Sequence, residues 1–191
     1  MGGKWMRWET PISNVIDGKK VIKKEYTQWL GMRTRTKSKA KNYVDVSLSK
    51  NFESFDYWCD WATKQKGFMN VEPSGIVWAI DKDILGDGKL YSEDVCVFVP
   101  TEINNLCKRS TNGFLKGVTK DSWKKRYRAH AVFNGVHISL GYYDTEYEAH
   151  CVYLDARRKQ VNMLLEKYSN QLDYRIATAL YDTCLPDIRL L

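Results

Sequence analysis

Apolar side chains recur at helical spacing in four parts of the chain. Phe52, Phe55, Trp58, Cys59 and Ala62 fall on one face of a helix predicted over Asn51 to Ala62. Tyr26, Trp29, Leu30 and Met32 give the stretch from Lys23 to Met32 a helical face. From Glu146 to about Tyr168, Ala149, Val152, Tyr153, Ala156 and Gln160 line one side, and Val161, Met163 and Leu164 continue it. Thr145 with Glu148 three residues on is a capping box that starts this helix. Leu172 to Leu180 reads as a short amphipathic tail helix.

Elsewhere the period falls to two. Tyr43 to Leu48 alternates apolar and polar, and Trp78 to Ile80 and Val95 to Val99 are short β-branched or aromatic runs. Gly86-Asp87-Gly88 is a turn between the last two, Pro100 closes the second, and Thr101 caps a short helix with Ile103, Asn104, Asn105 and Leu106. Further on, Gly117 to Thr119, Tyr127 to Val132 and Val136 to Gly141 predict a small antiparallel sheet, its hairpin turned at Phe133-Asn134-Gly135. The alternation sends Tyr127, Ala129, Ala131, Val136, Ile138 and Leu140 inward against the long helix. It sends Arg128, His130, His137 and Ser139 outward together.

These elements predict an α+β protein of two modules. Residues 1–110 form a strand, turn, strand, helix unit with flanking helices. Residues 115–191 form a three-stranded antiparallel sheet packed on one helix, followed by the tail helix. Ser110 to Gly113 reads as the linker.

Charge sharpens this picture. The chain carries a net +7, yet residues 19–41 alone hold nine Lys or Arg and one Glu, a net +8. Within them Arg33, Arg35, Lys37, Lys39 and Lys41 form a basic, polar loop suited to phosphate backbone. Residues 117–132 add five Lys or Arg against one Asp, and Lys120, Lys124, Lys125 and Arg126 border the outward sheet face. A sheet of this size fits the major groove, where alternate side chains reach base edges. Double-stranded DNA is therefore the expected partner. Aromatic Trp5, Trp8 and Trp123 could make a protein-binding patch, but packing against the core is expected of them.

Five scattered cysteines without a CxxC pair argue against a zinc knuckle or a disulfide framework, and a reducing compartment fits best. No apolar run approaches a membrane span, and the opening MGGKWMRWETP lacks the apolar core of a signal peptide, so a cytoplasmic location and no membrane partner are expected. His130 and His137 form a cross-strand pair without an evident third metal ligand, and His150 reads as a helix-surface residue.

The candidate chemistry lies between Trp78 and Asn105. Asp81 and Asp83 leave the first strand two residues apart, on one side if the strand continues, with Lys82 opposite. Asp94 precedes the second strand, and Asn104 and Asn105 sit on the following helix. Carboxylates and an amide so arranged could hold a divalent metal, Mg²⁺ or another, on a scissile phosphate.

This order, and the phrase IDKDIL…YSEDVCVFVPTEIN, resembles the HNH nucleases, the ββα-metal family common among phage and homing endonucleases. The resemblance implies that Asp81 binds metal, with Asp94 near the place of the loop Asn and Asn104 or Asn105 near the helical residue. Lys82 stands where the family has its general-base His, and all three histidines follow residue 129. A protonated Lys82 could instead stabilise charge on the phosphate. Three readings stay open: a degenerate, non-cleaving HNH scaffold, an unconventional metal nuclease with Asp81, Lys82, Asp83 and Asn104 at its centre, or a structural unit whose aspartates cap turns.

The second module resembles the ethylene-response-factor type of DNA-binding domain, the Apetala family, also found appended to phage and homing endonucleases. The matching residues are Gly117-Val118, Tyr127-Arg128-Ala129, Asn134-Gly135, Leu140 to Thr145, Glu148-Ala149 and Tyr153. The resemblance implies a DNA face that includes Thr119, Arg128, His130, His137 and Ser139. The two resemblances together imply a phage-type DNA-binding protein of HNH endonuclease descent, cleaving or not. The alternative is a non-enzymatic regulator or inhibitor that holds nucleic acid or a host protein.

Overall fold

The computed structural model describes residues 8–40, 43–106, 113–133 and 135–184. Lys41, Trp5, Asn134, most of the Ser110–Gly113 linker and the end after Cys184 lie outside them. The chain is α+β and divides into two compact units that meet in sequence at Pro100 and Thr101.

The first unit opens with a β-hairpin, β1 (Ser13–Ile16) and β2 (Lys19–Ile22). Asp17 and Gly18 both take positive φ at its two-residue turn, the geometry that Asp-Gly supplies with least strain. Helix α1 (Lys24–Thr36) follows and runs four residues beyond Met32, so Arg33 and Arg35 are helical and not part of a basic loop. Strand β3 (Ser47–Leu48) is the only paired part of the predicted Tyr43–Leu48 strand. The Asn51–Ala62 helix is split: Asn51–Glu53 is a single 3-10 turn, Ser54 adopts an extended conformation and caps Tyr57 N–H, and α2 (Phe55–Thr63) begins there. Three short strands complete the unit: β4 (Ala79–Asp81), β5 (Leu90–Tyr91) and β6 (Val97–Val99). β4 pairs antiparallel with β6, Ala79 opposite Val99, and β3 pairs parallel with β5.

An aromatic core holds these short elements. Trp29, Met32, Phe52, Phe55, Trp58, Ala62, Ile80, Tyr91, Cys96 and Phe98 are buried together. Each fully buried large side chain contributes roughly 1.5–3 kcal/mol, which strands of two or three residues cannot supply by themselves. The indole of Trp29 donates to Phe52 O at 2.9 Å and so ties α1 to the turn before α2. Trp8 packs edge-on against Trp29, as expected of it.

The second unit starts at α3 (Thr101–Leu106). The helix that would complete a ββα arrangement thus clusters with the second unit. Strands β7 (Val118–Asp121), β8 (Arg126–Phe133) and β9 (Val136–Tyr143) form one antiparallel sheet in the order β7-β8-β9. Helix α4 (Glu146–Lys167) packs on it, with the Thr145–Glu148 capping box formed as the sequence predicts. Ala129 and Ala149 meet with Val118 where sheet and helix touch, their small side chains allowing a close approach. The tail helix is α5 (Arg175–Cys184), three residues later than Leu172, because Asp173 accepts from Arg175 N and marks its start.

Several packing expectations are corrected. Met163 is exposed on α4, while Leu154, Arg157 and His150 are buried. His150 is no surface residue: its Nδ1 lies 2.9 Å from Lys116 O and its ring stacks on Tyr153. Trp123 is 95% exposed in the β7–β8 turn and is not core. Val136 and Ile138 are exposed too.

Candidate functional site

Strand β4 ends at Asp81, and this decides the geometry of the central stretch. Asp81 Oδ1 accepts N–H bonds from Asp83 and Ile84, both at 2.8 Å. The carboxylate curls the backbone into a turn, a local bond that competes with strand continuation. Alternation therefore stops. Asp81 and Lys82 are both buried, Lys82 with 5% of its surface exposed, and Asp83 points to solvent. The expectation that Asp81 and Asp83 share a side, with Lys82 opposite, does not hold.

The charges here are already matched. Lys82 Nζ lies 2.9 Å from Asp83 Oδ1 and 5.3 Å from the centre of the Tyr91 ring. Tyr91 hydroxyl accepts from Arg35 Nε at 2.7 Å, so Arg35 braces α1 against β5 and is not free to face phosphate. Burial pushes the Tyr91 phenol up to about 12 against the pull of Arg35, and pushes the Cys96 thiol to about 12 as well. Burial also raises the Asp81 carboxyl above its usual range. The Asp83 charge adds to this, and the N–H bond from Ile84 is the largest opposing effect.

Two of the carboxylates expected to hold a metal are already engaged. Asp81 has one oxygen committed to two backbone N–H groups, and Asp83 already has the Lys82 ammonium as its cation. Asp94 is exposed in the turn before β6, and Asn104 lies half-buried on α3 in the other unit. Among the described residues no group of three or more His, Cys, Asp and Glu side chains is placed to hold a metal ion.

The second unit gathers its predicted residues better. Register places Thr119 opposite Arg128, His130 opposite Ser139 and Val132 opposite His137. Paired residues project from the same side of a sheet, so these six share the face turned away from α4. Arg128 Nε donates to Ser139 Oγ at 3.2 Å across the strands. A bulge at Ala129/His130 shifts the register of β9 and brings Tyr142 opposite Arg128, onto this face. Lys124 Nζ sits 3.7 Å from the centre of the Tyr142 ring, a cation held on an aromatic plate. Sequence alternation missed Tyr142, since a one-residue bulge is invisible to a count of two.

The β7–β8 turn supplies the border. Asp121 Oδ1 accepts from Trp123 N and Lys124 N, both at 3.0 Å, which fixes the turn that displays Trp123, Lys124 and Lys125. Lys125 has φ of 53°, the left-handed conformation that closes it. Arg126 Nε pairs with the exposed Asp144 at 2.8 Å, a contact open to solvent. His130 differs from its neighbours: Nε2 is buried without a partner, and burial, then the charges of Arg128 and His137, lower its pKa. Of the predicted basic loop, Arg33 lies 4.7 Å over Trp29, and Lys37 and Lys39 are exposed.

No protein-family model, no curated protein and no solved structure matches the chain. Among the described residues, no helix is long and apolar enough to cross a membrane.

Proposed function

We propose that the protein binds duplex DNA through the outer face of its β7-β8-β9 sheet, without cutting it. The observation that carries this reading is the composition of that one uncovered face. Thr119, Arg128, His130, His137, Ser139 and Tyr142 line it, and Lys120, Lys124, Lys125 and Arg126 lie at its border. Hydroxyl, guanidinium and imidazole groups serve base edges, an aromatic ring stacks, and the border cations serve phosphates. The central Asp81 turn supports a structural role, because its carboxylate is occupied by the backbone it folds and Lys82 is enclosed beneath it.

Equilibrium binding of a fluorescent duplex over a range of salt tests the proposal. Four border cations meeting phosphate predict a loss of affinity of roughly 10²-fold between 50 and 200 mM salt. Arg128→Ala should weaken binding about tenfold or more, since it removes a base-reading donor as well as a charge. Duplex binding that ignores salt, or no duplex binding at any salt, refutes the reading.

A further inference from the structure

The β1–β2 ribbon has no part in the sheet just described, and its surface is unusual for a hairpin. Neither outer edge pairs with another strand among the described residues. Its base is tied by Lys23 N donating to Ile12 O at 3.0 Å, where α1 begins. Register puts Ser13, Val15, Lys20 and Ile22 on one face, and Asn14, Ile16, Lys19 and Val21 on the other. Each face therefore joins two or more apolar or small side chains to one ammonium. Neither is the core face: Val15 is 75% exposed, and Ile16, Val21 and Ile22 are exposed as well. A ribbon that only closed the unit would bury one of its faces. From Ser13 to Lys24 the chain holds four lysines against one aspartate, and none of those lysines is ion-paired among the described residues.

We propose that the β1–β2 ribbon is a second contact to duplex DNA, seated in a major groove. Lys19 and Lys20 meet phosphates near its tip, and Val15 and Ile22, which share one face, meet apolar base surface such as thymine methyls. A groove about 12 Å wide admits a two-stranded ribbon whose strands lie about 5 Å apart. Charge selects this occupant over others. Two copies paired here would oppose lysine to lysine, which disfavours a dimer. An added protein strand would meet short, lysine-bearing edges, a form that discourages strand addition. A polyanion gains from the same lysines. This inference rests on the reading of the protein as a duplex binder.

The test is duplex binding by the full chain over a range of salt, comparing Lys19→Gln/Lys20→Gln with Lys50→Gln/Lys66→Gln. The second pair is exposed, lies off the ribbon and removes the same charge. The expected result is a tenfold or greater loss for the ribbon pair with a log–log salt slope shallower by about 2, and a smaller loss for the control pair. Val15→Ser should weaken binding severalfold and leave the slope unchanged. If Arg128→Ala weakens binding while the ribbon pair matches the control pair, the ribbon proposal is overturned and the sheet reading stands. If the wild-type protein binds no duplex, both are overturned. If the ribbon variants keep wild-type affinity but lose self-association in sedimentation, the ribbon is a contact between copies and the proposal is again overturned.

Discussion

At Asp81 a single oxygen accepts two backbone N–H groups, which is the work of an end-cap more than of a metal ligand. Asparagine offers the same carbonyl oxygen without the buried charge. Asp81→Asn should therefore unfold in urea at or above the wild-type midpoint at pH 7. Asp81→Ala leaves both donors unpaired and should lose roughly 1–2 kcal/mol. Equal losses in the two variants would count against the capping role. His130 makes a second prediction. Its folded pKa lies below the ordinary 6.5, with burial as the main cause and Arg128 and His137 adding to it. The unfolded chain then binds more protons than the folded one in that window. Stability is held above pH 6.5 and falls as pH drops through the lowered folded value. His130→Gln should flatten that acid limb in a series of urea melts from pH 7.5 to 5. An unchanged limb would place the titrating group elsewhere.

At the scale of the element, the contact of β7 with α4 depends on one residue without a side chain. Gly117 has φ of 81°, and a Cβ there would stand 2.0 Å from the Tyr153 ring. Gly117→Ala should cost more than about 2 kcal/mol, from backbone strain and the displaced ring together. Combining it with Tyr153→Leu relieves only the steric part, so a double-mutant cycle should show a coupling that favours the pair. Independent effects would mean that the ring moves away without cost. The parts of the fold that the sequence made legible are of this locally determined kind. Thr145 and Glu148 announce the start of α4, and the period through Phe55, Trp58 and Ala62 announces α2. The misread parts are settled by partners distant in sequence or by competing local bonds. Arg35 looked like loop charge, yet it finds Tyr91 fifty-six residues away. The Asp81 turn overrode alternation, and the bulge in β8 and β9 moved Tyr142 to the outer face. The β1–β2 ribbon went unread because apolar pairs Val15-Ile16 and Val21-Ile22 break the period of two, although the Asp17-Gly18 turn signalled it.

At the scale of the molecule, the proposed duplex contact raises the question of cutting, and the answer turns on Lys82. The sequence makes this position the natural place to restore a base, since a histidine there would complete the pattern of the family that the stretch resembles. The fold argues otherwise. A side chain at position 82 is enclosed with 5% exposure, its head group between Tyr91 and Asp83, and the neighbouring Asp81 has bent the chain away from the strand direction that such a base would need. A general base must reach the proton it takes, or reach it through one water, and burial under Tyr91 denies that access. Lys82→His should therefore gain no activity. Wild-type and variant protein, each at a concentration that saturates a short duplex, should leave supercoiled plasmid intact with Mg²⁺ and with Mn²⁺. Metal-dependent nicking by the variant, abolished by adding Asp81→Asn, would show that the central stretch places metal and phosphate together and that the protein retains a cleavage scaffold.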